Sequence, residues 1–395
     1  NKFKYGILGV GRPPHKWEDS VDSFMGSLVG DARTLGVQLI AGGPHLACGD
    51  APHNIGEAIG KMKEGGAHIV FVVLFFDVYR IVKLQGDSLG MITQCLKWKN
   101  VMKPPRGYCS NVMLKVNAKL GGLNHVLTDR RDNKAPMASW GTSPSGAASE
   151  PPSSISWLFE KPCMIMGVNV SLSDPIKKDA SLTTVIVASM DRACAKYVAH
   201  VQSSKSADTN QLSRAAEAVT TGFKNRNGTV PETVIIYRDG VSDGEFSKVV
   251  DVELEQIKDG LVAAGCVPDV KITVIICQKG HHTRLVYEEP DASASGGSST
   301  FVNPAPGLVV DASDHESTIV SARYNEFYLN SHAAIQGTAK PCRYSLIYDS
   351  VGLKMSEIEL LSYWTCYLYA RCNKSVSYAT PAYYAHLAAR RAKDY

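Results

Sequence analysis

Lys115 and Lys119 stand four residues apart in the segment Ser110-Asn-Val-Met-Leu-Lys-Val-Asn-Ala-Lys-Leu-Gly-Gly122. The segment reads as a short helix, with polar Ser110 placed to cap its start and Gly121-Gly122 to end it. Val112, Val116 and Leu120 share one face, and the two lysines stack on a neighbouring one. Like charges at that spacing cost roughly 0.2–0.5 kcal/mol unless an anion lies between them. A solvated lysine face is the plain alternative. A second helical stretch, Asp77 to Met91, puts Tyr79 and Lys83 on one face by the same spacing. An aromatic ring beside an ammonium group suits a terminal nucleotide, whose base stacks on the ring while its phosphate meets the cation.

Two further residues have types suited to metal chemistry. Asp239 follows the apolar run Val234 to Tyr237. A carboxylate exposed on a turn there can reach a cation, although Asp-Gly after a strand is also an ordinary turn former. His386 follows Tyr383, Tyr384 and Ala385. A packed core imidazole is the alternative at that position.

These residues need a scaffold. Short apolar runs without alternation recur between helical patterns: Tyr5 to Val10, Ile69 to Phe76, Met164 to Val170, Thr184 to Ala188, Val234 to Tyr237 and Ile272 to Cys277. Strands buried on both faces have this pattern, which predicts an α/β fold with parallel sheet. Residues 136–156, rich in Pro, Ser, Ala and Gly, predict a linker or insertion, and Asp291 to Thr300 a flexible loop. The domain expectation is therefore 1–130, a linker over 131–160, and a larger unit over 161–395.

Composition narrows the function classes. With 44% hydrophobic residues the chain can fill ordinary cores, and with a net charge of only +4 any polyanion site must be a local patch. The ten cysteines contain no C-x-x-C pair, which argues against a zinc ribbon and for reduced thiols of a cytoplasmic or nuclear protein. The longest apolar run, Ile69 to Phe76, has eight residues, far short of the roughly 20 a membrane-spanning helix needs. No membrane partner is expected. The turn Gly6-Ile-Leu-Gly9-Val-Gly11 is half of a dinucleotide-binding fingerprint, but the third glycine is missing and Pro13 and Pro14 disfavour the helix that should follow. The chain begins at Asn1 rather than Met, so a fragment lacking upstream domains is expected.

The run Tyr79-x3-Lys83-x-x-Gly86-Asp87-x-Leu89-Gly90-Met91-x-Thr93-Gln94-Cys95, then Lys99-Asn100-Val101, then Asn111 through Leu114-Lys115 and Lys119 to Gly122, resembles the MID domain of eukaryotic Argonautes. The resemblance implies that Tyr79 stacks on the first base of a small guide RNA. It also implies that Lys83, Gln94, Lys115 and Lys119 bind the guide's 5′ phosphate. In that family the loop before the tyrosine reads the first base. Here it is the short Leu74-Phe-Phe-Asp-Val78, so the resemblance carries no preference for one nucleotide.

From Met166 onward the chain resembles a PIWI domain, through Tyr237-Arg-Asp-Gly-Val-Ser-Asp-Gly244, Gln278-Lys-Gly-His-His-Thr-Arg-Leu285, Ser331-His-Ala-Ala-Ile-Gln-Gly-Thr338 and Pro381-Ala-Tyr-Tyr-Ala-His386. The implied fold is a Rossmann-like MID domain followed by an RNase H-like PIWI domain. Asp239 and His386 match metal-binding catalytic positions, Arg391 a residue completing the phosphate pocket, and His282, Thr283 and Arg284 a loop holding the guide backbone. Asn169 departs from the pattern, since the family has aspartate there. An amide supplies no charge to the Mg²⁺ ions that cleavage requires. No glutamate follows Val201-Gln202, where Asp208 is the nearest acid, and Asp174 lies in the turn after Asn169. The resemblance thus implies small-RNA-guided silencing, with complementary target RNA, silencing-complex proteins and N-terminal Argonaute domains as partners. An active Mg²⁺-dependent endonuclease is the alternative.

Overall fold

The computed structural model describes residues 2–127, 155–172, 181–204, 210–290, 299–311, 320 and 325–393. Its contacts divide the chain into two units, Asn1–Asn124 with Ala370–Cys372 and Asp394–Tyr395, and His125–Tyr369 with Asn373–Lys393.

The first unit alternates strands and helices: β1 (Lys2–Val10), α1 (Trp17–Thr34), β2 (Gln38–Ala41), β3 (Leu46–Cys48), α2 (Pro52–Glu64), β4 (Ile69–Leu74), α3 (Tyr79–Ser88), β5 (Thr93–Lys97), α4 (Trp98–Met102) and α5 (Tyr108–Lys119). The strands form a parallel sheet in the order β2-β1-β4-β5, with β3 also paired to β1. Its faces are covered separately. Ile7, Ile69, Phe71 and Val73 pack with α1 and α5, while Leu8, Val10, Val70 and Val72 pack with α2 and α3. That two-sided burial is why β4 is apolar at all six positions.

Helix α5 starts earlier than the sequence predicts. Gly107, at φ 74°, precedes Tyr108, and Ser110 does not cap: its hydroxyl donates to the Asp31 carboxylate of α1 at 2.9 Å. Gly121, at φ 82°, lies just past the helix as expected. Helix α3 is shorter than the predicted 77–91, because Val78 turns inward before it and Gly90, at φ 62°, follows it.

The second unit contains β6 (Cys163–Leu172), β7 (Leu182–Ser189), β8 (Tyr197–Ser204), α6 (Gln211–Asn227), β9 (Thr233–Asp239), α7 (Phe246–Lys248), a π-turn (Val249–Glu253), α8 (Leu254–Ala263), β10 (Lys271–Gln278), β11 (Tyr287–Pro290), β12 (Ser299–Val302), β13 (Leu308–Asp311), β14 (Asn325–Asn330), β15 (Cys342–Asp349), α9 (Met355–Thr365) and α10 (Thr380–Ala392). The main sheet runs β13-β14-β15-β10-β9-β6-β7-β8. Within it β6, β9 and β10 are parallel, and β7 and β8 antiparallel, the RNase H-like order. Met164, Met166 and Val168 face α6 and α8, while Cys163 and Ile165 face α9 and the start of α10.

Residues 131–160 do not all behave as a linker. Ser156–Phe159 form a 3₁₀ turn, and Ile155, Leu158 and Phe159 are buried in the second unit's core together with Leu127. The rest of that expected linker, residues 291–298 of the expected loop, and Asp174 and Asp208 lie outside the described residues, whereas Ser299 and Thr300 belong to β12. Among the described residues no helix is long and apolar enough to cross a membrane.

Candidate functional site

In the first unit, α3, β5 and α5 bring four of the expected residues together. Lys83 is buried, and its Nζ donates to the carbonyl oxygen of Thr93 at 2.7 Å and to Thr93 Oγ1 at 2.8 Å. Lys119 reaches the same carbonyl oxygen at 2.8 Å and also donates to Gln94 Oε1 at 2.8 Å. Two ammonium groups thus crowd one neutral oxygen, with the Gln94 amide beside them. Such an arrangement concentrates positive potential and suits an anion. Tyr79, at the first turn of α3, keeps its ring 47% exposed, with Lys83 Nζ 5.6 Å from the ring centroid. That distance is within cation–π range, so one side of the lysine cluster is aromatic.

Lys115 lies one turn before Lys119 and is partly buried. Burial lowers its proton affinity, and the charge of Arg371 lowers it further. Sequence reasoning missed Arg371. Nothing local marks it, since its relevance depends on an approach between residues far apart in the chain. Arg391 sits in the last turn of α10, in the second unit.

In the second unit, parallel pairing of β6 with β9 sets Asn169 opposite Asp239. Asn169 Nδ2 donates to Asp239 Oδ2 at 3.0 Å, and His386 Nδ1 lies 3.2 Å from the same oxygen. Asp239 is the last residue of β9, and its side chain is only 13% exposed. The expected exposed turn position is therefore wrong: the strand continues through Asp239, and the turn begins at Gly240, at φ 74°. The hydrogen bond to Asp239 raises the His386 pKa, opposed by burial and by Arg390 and Lys393.

Gly167 on β6 makes this meeting possible. A Cβ there would overlap the Pro381 carbonyl, so its absence lets the start of α10 lie on the strand and carry His386 to Asp239. Arg238 braces the other side of the strand. It pairs with Glu253 at 2.7 Å and donates to the Asp239 carbonyl.

This donor set does not fit a two-ion centre. Among the described residues no group of three or more His, Cys, Asp or Glu side chains is arranged to hold a metal ion. Among the described residues at the site, only Asp239 brings a formal charge of the right sign. Asn169, instead of supplying a second carboxylate, spends its N–H on Asp239 and leaves its own Oδ1 buried without a hydrogen bond.

The expected backbone-binding loop lies between β10 and β11. His282 and Arg284 are exposed, and Thr283 Oγ1 lies 3.5 Å from Tyr328 Oη. His281 turns inward, with Nε2 3.0 Å from the Pro341 carbonyl and its ring edge-on to Tyr328.

Known proteins share this architecture. The Piwi domain family matches residues 76–395. The chain is 32% identical over 378 residues to protein argonaute 5 of Arabidopsis thaliana, covering 89% of this chain and 34% of that protein. Its fold is similar to that of the C-terminal lobe of a budding yeast Argonaute, with a TM-score of 0.81 and 23% identity, covering 100% of this chain and 79% of the other. A Kluyveromyces polysporus Argonaute solved with a guide RNA gives a TM-score of 0.80 at 22% identity, covering 100% of this chain and 47% of that one. The chain spans about a third of the length of the curated relatives it matches.

Proposed function

Because the chain belongs to the Piwi-domain family and carries the MID–PIWI arrangement of a eukaryotic Argonaute, we propose that it holds a small guide RNA by its 5′-phosphorylated end for silencing of complementary target RNA. The observation that carries this reading is the convergence of Lys83 and Lys119 on the Thr93 carbonyl oxygen. A terminal phosphate would bring negative charge to two ammonium groups gathered at one carbonyl oxygen, and the Tyr79 ring supplies a stacking surface for the first base. Lys115 would take part as a partly desolvated cation whose charge is favoured again once an anion is bound. Arg391 is assigned to the same phosphate by the family resemblance, and His282, Thr283 and Arg284 to the guide backbone.

Silencing in this reading proceeds by recruiting silencing-complex proteins, in the cytoplasm or the nucleus, and not by cutting. RNase H-like cleavage draws on divalent metal, and an active enzyme would hold Mg²⁺ through Asp239 and His386. The contact of those two residues favours the slicer alternative. The amide at Asn169 weighs against it.

Lys119→Ala tests the reading. Titrated with single-stranded RNA, the variant is expected to bind a 5′-phosphorylated guide about tenfold more weakly, a loss of ~1.4 kcal/mol, while binding to the 5′-hydroxyl form hardly changes. Equal losses for both forms would overturn the phosphate assignment.

A further inference from the structure

Helix α9 turns Ile358, Leu361, Ser362 and Thr365 into the core of the second unit. Away from that buried face three aromatic rings meet. Centroids lie 5.6 Å apart for Tyr363 and Trp364, 5.3 Å for Tyr363 and Tyr367, and 5.8 Å for Trp364 and Tyr367. The two tyrosines are fastened in place. The Tyr363 hydroxyl donates to the Pro306 carbonyl at 3.2 Å and lies 2.7 Å from the Tyr367 hydroxyl, and a Cβ at Gly307 would stand only 3.2 Å from the Tyr363 ring. Trp364, braced by both, stays 40% exposed. An indole held by its neighbours and open to water is the residue type that anchors interfaces.

This patch has an acidic border. Glu359 precedes Tyr363 by one turn of α9, the spacing at which side chains on a helix are neighbours. Asp311, the last residue of β13, comes close enough for a hydrogen bond between the two carboxyl groups. That bond requires a proton, because two carboxylates side by side repel. Burial and Asp311 accordingly push the Glu359 pKa up to about 7. The second oxygen of Glu359, Oε1, is buried without a hydrogen-bond partner, and among the described residues no basic side chain pairs with Glu359. A cation bearing N–H groups would satisfy that oxygen and relieve the repulsion.

We propose that Trp364, Tyr363 and Glu359 form a docking site for an arginine side chain of a partner protein. The guanidinium group combines what the patch offers to bind: its flat face stacks on an aromatic ring, its N–H groups reach a carboxylate edge-on, and it keeps its charge. Lysine brings a compact, strongly hydrated charge with no flat face. RNA bases would suit the rings, but their phosphates would be set against Glu359 and Asp311, so the charge of the border selects a basic peptide over a polynucleotide. The patch uses none of the residues assigned to the guide, and the proposal stands or falls separately from that reading.

The test titrates the whole chain, by calorimetry, with a glycine-rich peptide carrying several arginines and with the same peptide carrying lysine or citrulline instead. The arginine peptide is expected to bind at least about fivefold tighter than the lysine peptide, and the citrulline peptide, flat but uncharged, not measurably. Trp364→Ala and Glu359→Gln should each weaken binding of the arginine peptide about fivefold, while affinity for 5′-phosphorylated RNA stays unchanged. Trp364 is exposed, and glutamine at 359 keeps a hydrogen-bonding group beside Asp311 without the charge, so both variants keep the native fold, which circular dichroism checks. No binding of the arginine peptide, equal binding of the lysine or citrulline peptide, or binding that survives Trp364→Ala overturns the proposal. So does a Trp364→Ala chain that loses affinity for single-stranded RNA, which would assign the rings to nucleotide stacking.

Discussion

His386 and Asp239 share a 3.2 Å contact whose consequence is a pH dependence. Because the folded-state pKa of His386 is raised above its ordinary 6.5, the stabilisation is fully present below that value and is lost as pH rises through the folded value. Asp239→Asn is expected to lower the His386 pKa in an NMR titration and to flatten this part of the stability profile; an unchanged titration would mean that the contact does not form in solution. Glu359, on α9, behaves as a carboxyl whose folded form favours the proton. Burial and the neighbouring Asp311 push its pKa up to about 7 from 4.5. Its contribution is therefore favourable below about pH 4.5 and is lost as pH rises toward 7. Glu359→Gln should stabilise the chain at pH 8 relative to pH 5 by on the order of 1–2 kcal/mol, allowing for its partial exposure. Equal effects at both pH values would contradict the shift. Single residues were legible in the sequence where a motif fixed their partners, as for Tyr79, Lys83 and Lys119. The donor role of Asn169 was not, because an amide shows which group it offers only when the strand beside it is in place.

Elements decide whether those side chains meet, and Gly167 is where the dependence is sharpest. Placing a Cβ there would drive it into the Pro381 carbonyl, a backbone atom that cannot swing aside. Gly167→Ala is therefore expected to cost about 3 kcal/mol in urea denaturation and to displace α10, breaking the His386 contact with Asp239. Wild-type stability with an intact contact would contradict this account of how α10 is seated. The central strands were readable because two-sided burial makes them continuous apolar runs, as in Ile69–Leu74. The starts of α3 and α5 were not, since Val78 is turned inward by tertiary packing and Ser110 is drawn to Asp31 from another helix. Asp239 was misplaced for a related reason. Asp-Gly signals a turn, but pairing with β6 and β10 keeps the aspartate inside the strand.

For the whole molecule, a net charge of only +4 leaves room for a local cluster of cations. Lys83, Lys115 and Lys119 belong to one unit, and the centre around Asp239 to the other. Among the described residues that centre shows one carboxylate, so incubation with guide, matched target RNA and Mg²⁺ is expected to yield no more than trace product. Robust cutting that Asp239→Ala abolishes would show that Asn169 does not disable the site. Family membership was legible because the motifs fall in order along the chain. The state of the second centre was legible only in part, since one substitution was visible but the way the remaining groups satisfy each other was not. The most direct measurement is the affinity of the wild-type chain for one RNA carrying either a 5′ phosphate or a 5′ hydroxyl. The lysine convergence at Thr93 predicts at least about tenfold tighter binding of the phosphorylated form, ~1.4 kcal/mol. Equal affinities would contradict it.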